Sequence, residues 1–442
     1  MVSRRGFIRV GAATVGTLAL RPFGLLPALA QSGGDYRALV CVFLFGGNDS
    51  NNTIIPMDDV NYPAYQSIRG SLALSGSNLT PTVTSNTGAP FAFHAKLAEV
   101  ASMFSSKELA VVANVGPLVQ PLTRAQYQAA QALTIPLNLF SHADQQLAWQ
   151  TSIAQGHSPT GWAGRAADYI ASANINSSSF PTFFSVAGNS IEGTGAATQQ
   201  VALAPGESMD LTGPAAGVNA IHSLLTTNSG MSLVQAANDT LSHSITDAAA
   251  LAAALGKSTA LKTVFPTTSI GKQLAQVAQI IQVQSYLGMR RQIFFCSLGG
   301  FDTHAAELET HNNLYPQLSP ALAAFYAATQ ELNVAQNVTT FTESDFSRTF
   351  QPTTTDGSDH AWGSHHLVMG GAVKGGQIFG QFPTFELGGP NDTDTRGRWI
   401  PTTSIDQYGA TLCSWFGIPA SALATVFPNL ANFPTAKIGF LG

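Results

Sequence analysis

The sequence predicts an α/β protein, a three-layer α/β/α sandwich around a mostly parallel central sheet. Three observations carry that expectation. Strand-length apolar runs recur, beginning with residues 38–45 (ALVCVFLF), a run too uniformly apolar to have a wet face. Each run ends in glycines and polar residues, as in Gly46-Gly47-Asn48-Asp49 and Gly299-Gly300-Phe301-Asp302-Thr303-His304. Helical patterns separate the runs, giving the strand, turn, helix, strand alternation of a doubly wound sheet.

The elements follow in order. After the first strand, residues 93–107 read as a helix and 108–115 (ELAVVANV) as a second buried strand. Ser141 is placed to cap a helix running to Gln150. Residues 174–266 change character, with β-like pieces such as 182–186 among Gly/Ser/Thr-rich loops and an Ala-rich helix at 248–255. This segment predicts an insertion or cap on the main sheet. Ser269 then caps a helix whose stripe is Leu274, Val277, Ile280 and Ile281. A strand over 292–298 precedes a helix with Leu314, Leu318, Leu322 and Phe325 at helical spacing, and His311 on that helix reads as a surface residue. A strand begins at Val338, and a capped helix over 403–416 stops at Gly417.

The first thirty residues read as a signal peptide. Ser3-Arg4-Arg5-Gly6-Phe7 is a twin-arginine motif, followed by the apolar run 10–20 and by Ala28-Leu29-Ala30, an A-x-A cleavage site. The mature domain is expected to span 31–442 and to be periplasmic or secreted, with the twin-arginine translocase as its partner during export. The apolar run is too short for a stable membrane span, and no later run reaches eighteen apolar residues. With 20 Lys and Arg against 25 Asp and Glu, the chain lacks a basic footprint for nucleic acid. The three cysteines, Cys41, Cys296 and Cys413, have no metal-ligand spacing and read as buried, inert thiols.

Ionisable residues are scarce, at 10% charged, yet they crowd into residues 338–366 (VTTFTESDFSRTFQPTTTDGSDHAWGSHH). Glu343 and Asp345 end a strand, and Asp356, Asp359, His360, His365 and His366 follow in a loop. The C-terminal edge of a parallel sheet is where such folds bind ligands, and carboxylate with imidazole is a metal-ligating set. Asn48/Asp49, Ser141/His142/Asp144 and Asp302/His304 would meet the stretch at the same edge.

Several segments together resemble the bacterial DUF1501 family: FLFGGNDSNNTIIP, LFSHADQQLAWQ, GWAGRAAD, GGFDTH, SDFSRTF, DGSDHAWGSHH, GGAVKGG and RGRWIPTTSIDQYGATLCSWFG, behind a twin-arginine leader. The family is placed in the alkaline phosphatase/sulfatase-like superfamily, so the resemblance implies an alkaline-phosphatase-like sheet with one or two divalent metals at its edge. On that pattern Asp49 resembles the first-strand metal carboxylate, and Asp302 with His304 the Asp-and-His pair. Asp345 stands where an Asp-His pair is expected, but Phe346 replaces the histidine. The missing imidazole comes from His360, or the second metal site is altered or absent. Asp359, His360 and His366 resemble the late histidine region. No Cys-x-Pro-x-Arg sulfatase motif occurs, and Gly370 to Gly376 lacks the GK[ST] ending of a phosphate loop.

Two metals roughly 3.5–4 Å apart would clamp the attacking and leaving oxygens of phosphoryl or sulfuryl transfer. Ser141, at a helix N-terminus, is the candidate nucleophile or a simple cap. His142 is a candidate base or ligand, and Arg348 a candidate bidentate partner for a substrate oxyanion. The expectation is an exported hydrolase of phosphate or sulfate esters, dependent on zinc, manganese or calcium and acting on an anionic ester. A periplasmic binding or assembly protein that keeps the fold without catalysis is the alternative.

Overall fold

The computed structural model describes residues 35–129, 134–206, 214–227 and 230–442. The twin-arginine motif and the cleavage site lie outside the described residues. The strands are β1 (Arg37–Phe45), β2 (Ile54–Pro56), β3 (Val83–Thr84), β4 (Pro90–Phe93), β5 (Leu109–Gly116), β6 (Phe183–Ser185), β7 (Val201–Ala202), β8 (Arg291–Gly299), β9 (Val338–Ser344), β10 (Ser364–Met369), β11 (Ile378–Gly380) and β12 (Thr403–Ser404). The helices are α1 (Asn61–Arg69), α2 (Ala98–Ser105), α3 (Arg124–Gln128), α4 (His142–Thr151), α5 (Trp162–Ser172), α6 (Ala215–Leu225), α7 (Ser232–Leu255), α8 (Ser269–Gln282), α9 (Glu307–Glu331), α10 (Ile405–Phe416) and α11 (Ala420–Val426).

β1 is apolar on both faces because both faces are covered. Ala38, Val40, Val42 and Leu44 enter one core beneath α2, α8 and α9, while Leu39, Cys41 and Phe43 enter a second beneath α5, α10 and α11. Each fully buried Val, Leu or Phe contributes roughly 1.5–3 kcal/mol, which makes β1 the axis of the three-layer sandwich. The main sheet runs β11-β5-β10-β9-β1-β8-β6-β7, with β12 also pairing β5. Its pairings are parallel except those of β10, which runs antiparallel to β9 and β5. The expected mostly parallel central sheet with helices on both faces is the one observed. A separate antiparallel ribbon, β2-β4-β3, lies beside it.

Local differences have local causes. The cap of α8 is Thr268, whose hydroxyl accepts from Gly271 N–H, so Ser269 is the first helical residue. Residues 90–93 are strand rather than helix start, and α2 begins only after a 3-10 turn capped by His94. Within 174–266, β6 and β7 extend the main sheet beyond β8, whereas α6 and α7 bury only Leu225 and Ala248, Leu251 and Ala254. His311 is fully buried on α9, not on its surface. Among the described residues no helix is long and apolar enough to cross a membrane.

Candidate functional site

β8, β1 and β9 lie side by side and parallel, so the turns that follow them open at one edge. Gly46 brings two of these turns into contact. Its φ is +111°, and a Cβ there would lie 2.4 Å from the backbone N of Asp302. Asp302 is half-exposed and is held from behind by Arg348, whose side chain is fully buried. Arg348 Nη1 donates to Asp302 Oδ1 at 3.0 Å and to Gly46 O at 3.3 Å; its Nη2 donates to Ser358 O at 2.6 Å and its Nε to Ser358 Oγ at 3.2 Å. Every guanidinium nitrogen is thereby engaged.

Three imidazoles converge on the same carboxylate. Nε2 of His142, His304 and His360 lie 3.5, 3.2 and 3.5 Å from Asp302 Oδ1, and the His304 and His360 Nε2 atoms are 2.9 Å apart. Each ring is tethered through its other nitrogen. His142 Nδ1 meets Asp345 Oδ2 at 2.7 Å, His304 Nδ1 meets Asp359 Oδ1 at 3.2 Å, and His360 Nδ1 meets the Phe140 carbonyl at 2.6 Å. An Nδ1–H donated to an oxygen leaves Nε2 with its lone pair facing the cluster. The tethers are themselves braced. Asp345 accepts from Gly46 N–H and Gln146 Nε2, and Asp359 accepts from Arg396. Gly357 allows a close approach, because a Cβ there would lie 2.2 Å from His304 C, so the loop bearing Asp359 and His360 lies directly on His304.

The hydrogen bond that His142 donates to Asp345 raises the imidazole above its ordinary value, against the opposing effect of burial. Burial lowers His360. For Asp302 burial works upward, but the hydrogen bond and charge of Arg348, with His142 and His304, hold the carboxyl below the usual range. An ionised carboxylate therefore faces three imidazole Nε2 atoms. A tetrahedral divalent site with bonds of roughly 2.0–2.1 Å has ligand-to-ligand edges of roughly 3.3–3.4 Å, which the Asp302 to imidazole distances match. His142 Nε2 is buried and has no hydrogen-bond partner, as expected of an atom that serves an ion. His142, Asp302 and His360 offer ligand atoms that all lie within 4.8 Å of one another, a set that fits a single divalent cation, and the half-exposed Asp302 and His304 leave one side open to solvent.

The remaining expected residues are placed differently. Asp345 and Asp359 hold histidines rather than face the cluster. Asp49, expected as a ligand, is fully buried in another group: it ion-pairs with Arg69, which also bonds Glu307 at 3.1 Å. The cause is the 3-10 turn at Ser50–Asn52, where Asp49 caps the chain and turns its side chain toward α1. His366 is buried against Trp149 and Tyr408, because adjacent residues of β10 point to opposite faces and neither His365 nor His366 faces Asp302. Ser141 caps α4 and donates its hydroxyl to Asp144 Oδ2 at 2.6 Å. Arg348 is a clamp on Asp302, not a free anion receptor. Phe346 packs on both His142 and His360 with ring centroids 4.8 Å away in each case, filling the space beside the cluster. Sequence reasoning missed Gln146 and the Phe140 carbonyl; Gln146, four residues after His142 on one helix face, was detectable by spacing.

A search of curated proteins finds no match. Among solved structures, Ps i-CgsB in complex with k-i-k-neocarrahexaose is similar at 10% identity over 88% of this chain and 74% of that chain, TM-score 0.34. The zinc complex of the C-terminal periplasmic domain of EcEptC from Escherichia coli is similar at 11% identity over 77% and 74%, TM-score 0.31. A Bacteroides thetaiotaomicron structure from a glycosaminoglycan-metabolism locus is similar at 10% identity over 88% and 75%, TM-score 0.35. A family model matches residues 36–394, and on that match the chain belongs to the family described as protein of unknown function (DUF1501).

Proposed function

We propose that this chain is an exported, metal-dependent hydrolase of phosphate or sulfate esters, built around one divalent cation held by His142, Asp302, His304 and His360. The observation that carries the reading is the convergence of three Nδ1-tethered imidazoles on one ionised carboxylate. A bound divalent cation supplies Lewis acidity toward an ester oxygen and toward water. Asp345 and Asp359 hold His142 and His304 as Nε2 donors and strengthen them. Arg348 keeps Asp302 ionised and aimed. The ester approaches from the side of Asp302 and His304, which are the more exposed members. With the Ser141 hydroxyl engaged by Asp144, water is the attacking oxygen. The twin-arginine leader supports export.

The test is metal analysis of the protein purified from the periplasm, combined with a panel of phosphate and sulfate esters. The expected result is that Asp302→Ala loses one tightly bound ion per chain together with turnover. No bound ion, and no turnover gained on adding zinc, manganese or calcium, overturns the proposal. The packing of Phe346 against His142 and His360 favours a second reading, a binding or assembly protein that keeps the metal without catalysis. A full metal complement with no turnover across the panel would select it.

A further inference from the structure

On the face of the sheet covered by α5 and α10, three acidic donors meet far from any solvent. Cys41 on β1, Glu192 in the 3-10 turn Ile191–Gly193 and Glu343 on β9 are all buried, and their donor atoms lie within 4.8 Å of one another. The register explains half of the meeting. Cys41 pairs with Phe341 and Phe43 with Glu343, so Cys41 and Glu343 project from adjoining strands to the same face. Glu192 arrives from a separate segment. The close approach at Gly161, where a Cβ would lie 2.2 Å from Glu192 O, fixes the backbone of that turn against α5.

The group is incomplete as it stands. Both carboxylate oxygens of Glu192 and Oε2 of Glu343 are buried with no hydrogen-bond partner. Burial pushes the Cys41 thiol and the carboxyls of Glu192 and Glu343 upward; the charged groups acting on Cys41 are Glu192, Glu343 and Cys296, all of them acidic, and its thiol hydrogen-bonds Glu343. Buried carboxylates without donors are costly, and natural structures satisfy them with a proton, water or a cation. A thiol beside two carboxylates narrows the choice, since sulfur and oxygen together suit zinc-like ions and neither calcium nor magnesium.

We propose that Cys41, Glu192 and Glu343 form a second divalent-metal site, fully buried and structural, that takes zinc or a similar borderline ion. Binding releases the Cys41 proton, and any carboxyl proton, to solvent, with no change of oxidation state. Because the site has no exposed member, the ion enters before the sheet closes and exchanges slowly afterwards. The Asp302 cluster lies at the open strand edge and contains no sulfur, so the two sites can be separated spectroscopically.

The test is cobalt supplied while the whole mature protein folds, in cells grown on cobalt or on refolding with it, read by near-ultraviolet absorption and by metal content per chain. The expected result is a sulfur-to-cobalt charge-transfer band that survives Asp302→Ala and Cys296→Ser and disappears in Cys41→Ser. Glu192→Gln is expected to lower the metal content by one ion per chain. Wild-type protein with no such band overturns the proposal without any variant having to fold, and it leaves the reading of the Asp302 cluster intact. A metal content unchanged in both Cys41→Ser and Glu192→Gln also overturns it and assigns the group as neutral acids with bound water.

Discussion

Asp345 Oδ2 lies 2.7 Å from Nδ1 of His142, a contact between residues 203 positions apart that joins the end of β9 to the first residue of α4. The carboxylate fixes the tautomer of the imidazole and holds its ring plane toward Asp302. Asp345→Asn keeps a hydrogen-bond acceptor but removes the charge. Metal affinity is expected to fall about 10- to 100-fold, measured by competition with a chelator, and the His142 imidazole should titrate lower than in the wild type.

Gly46→Ala should damage both the fold and the cluster. A residue at φ +111° is strained by roughly 1–3 kcal/mol, and the new Cβ would meet the backbone N of Asp302 at 2.4 Å. Gly88 is the control, because its φ is +84° with nothing within 4 Å. Both substitutions should lower stability to denaturant, but only Gly46→Ala should also weaken metal binding.

Ser141→Ala separates a cap from a nucleophile. Loss of an N-cap costs about 1 kcal/mol, and metal content and ester turnover should stay near wild type. Turnover falling by orders of magnitude at full metal content would instead assign the attacking oxygen to Ser141.

His366 should make the fold acid-sensitive. Burial lowers its imidazole to about 3, from an ordinary value of 6.5. The unfolded chain therefore binds a proton below pH 6.5 that the folded chain refuses until pH 3, so the unfavourable term begins near 6.5 and grows as pH falls. Relative to His366→Gln, wild-type stability should drop by up to about 1.4 kcal/mol per pH unit across that window. Denaturant melts of the two proteins at several pH values give the slopes, and parallel curves would show that His366 is not held neutral.

The layers and most of the site were legible for different reasons. Doubly buried strands announce themselves as unbroken apolar runs, which is why β1, β5 and β8 were recognisable to within a residue or so at each end. Asp302, His304 and His360 stood out because polar residues at strand ends in a sparsely charged chain are conspicuous. Side-chain direction was not legible. Asp49 follows β1 as plausibly as Asp302 follows β8, yet the 3-10 turn aims it at Arg69, and the buried Arg69–Glu307 pair has no local sequence signal. The division of labour between Asp345, which holds a histidine, and Asp302, which meets three, depends on distances that only the closed sheet sets. His311 misled for the same reason: its helical face is covered by Phe301 and Tyr315 packing that spacing does not reveal.

The cluster draws on residues 142, 302, 304 and 360, and so on segments from either side of the chain's midpoint. A chain emerging from synthesis has no partial version of the site worth occupying until His360 has appeared and β9 has paired with β1. An ion bound at this strand edge would thus register the pairing of β9 with β1. Truncations that stop before residue 360 should remain blind to metal however much helix they form.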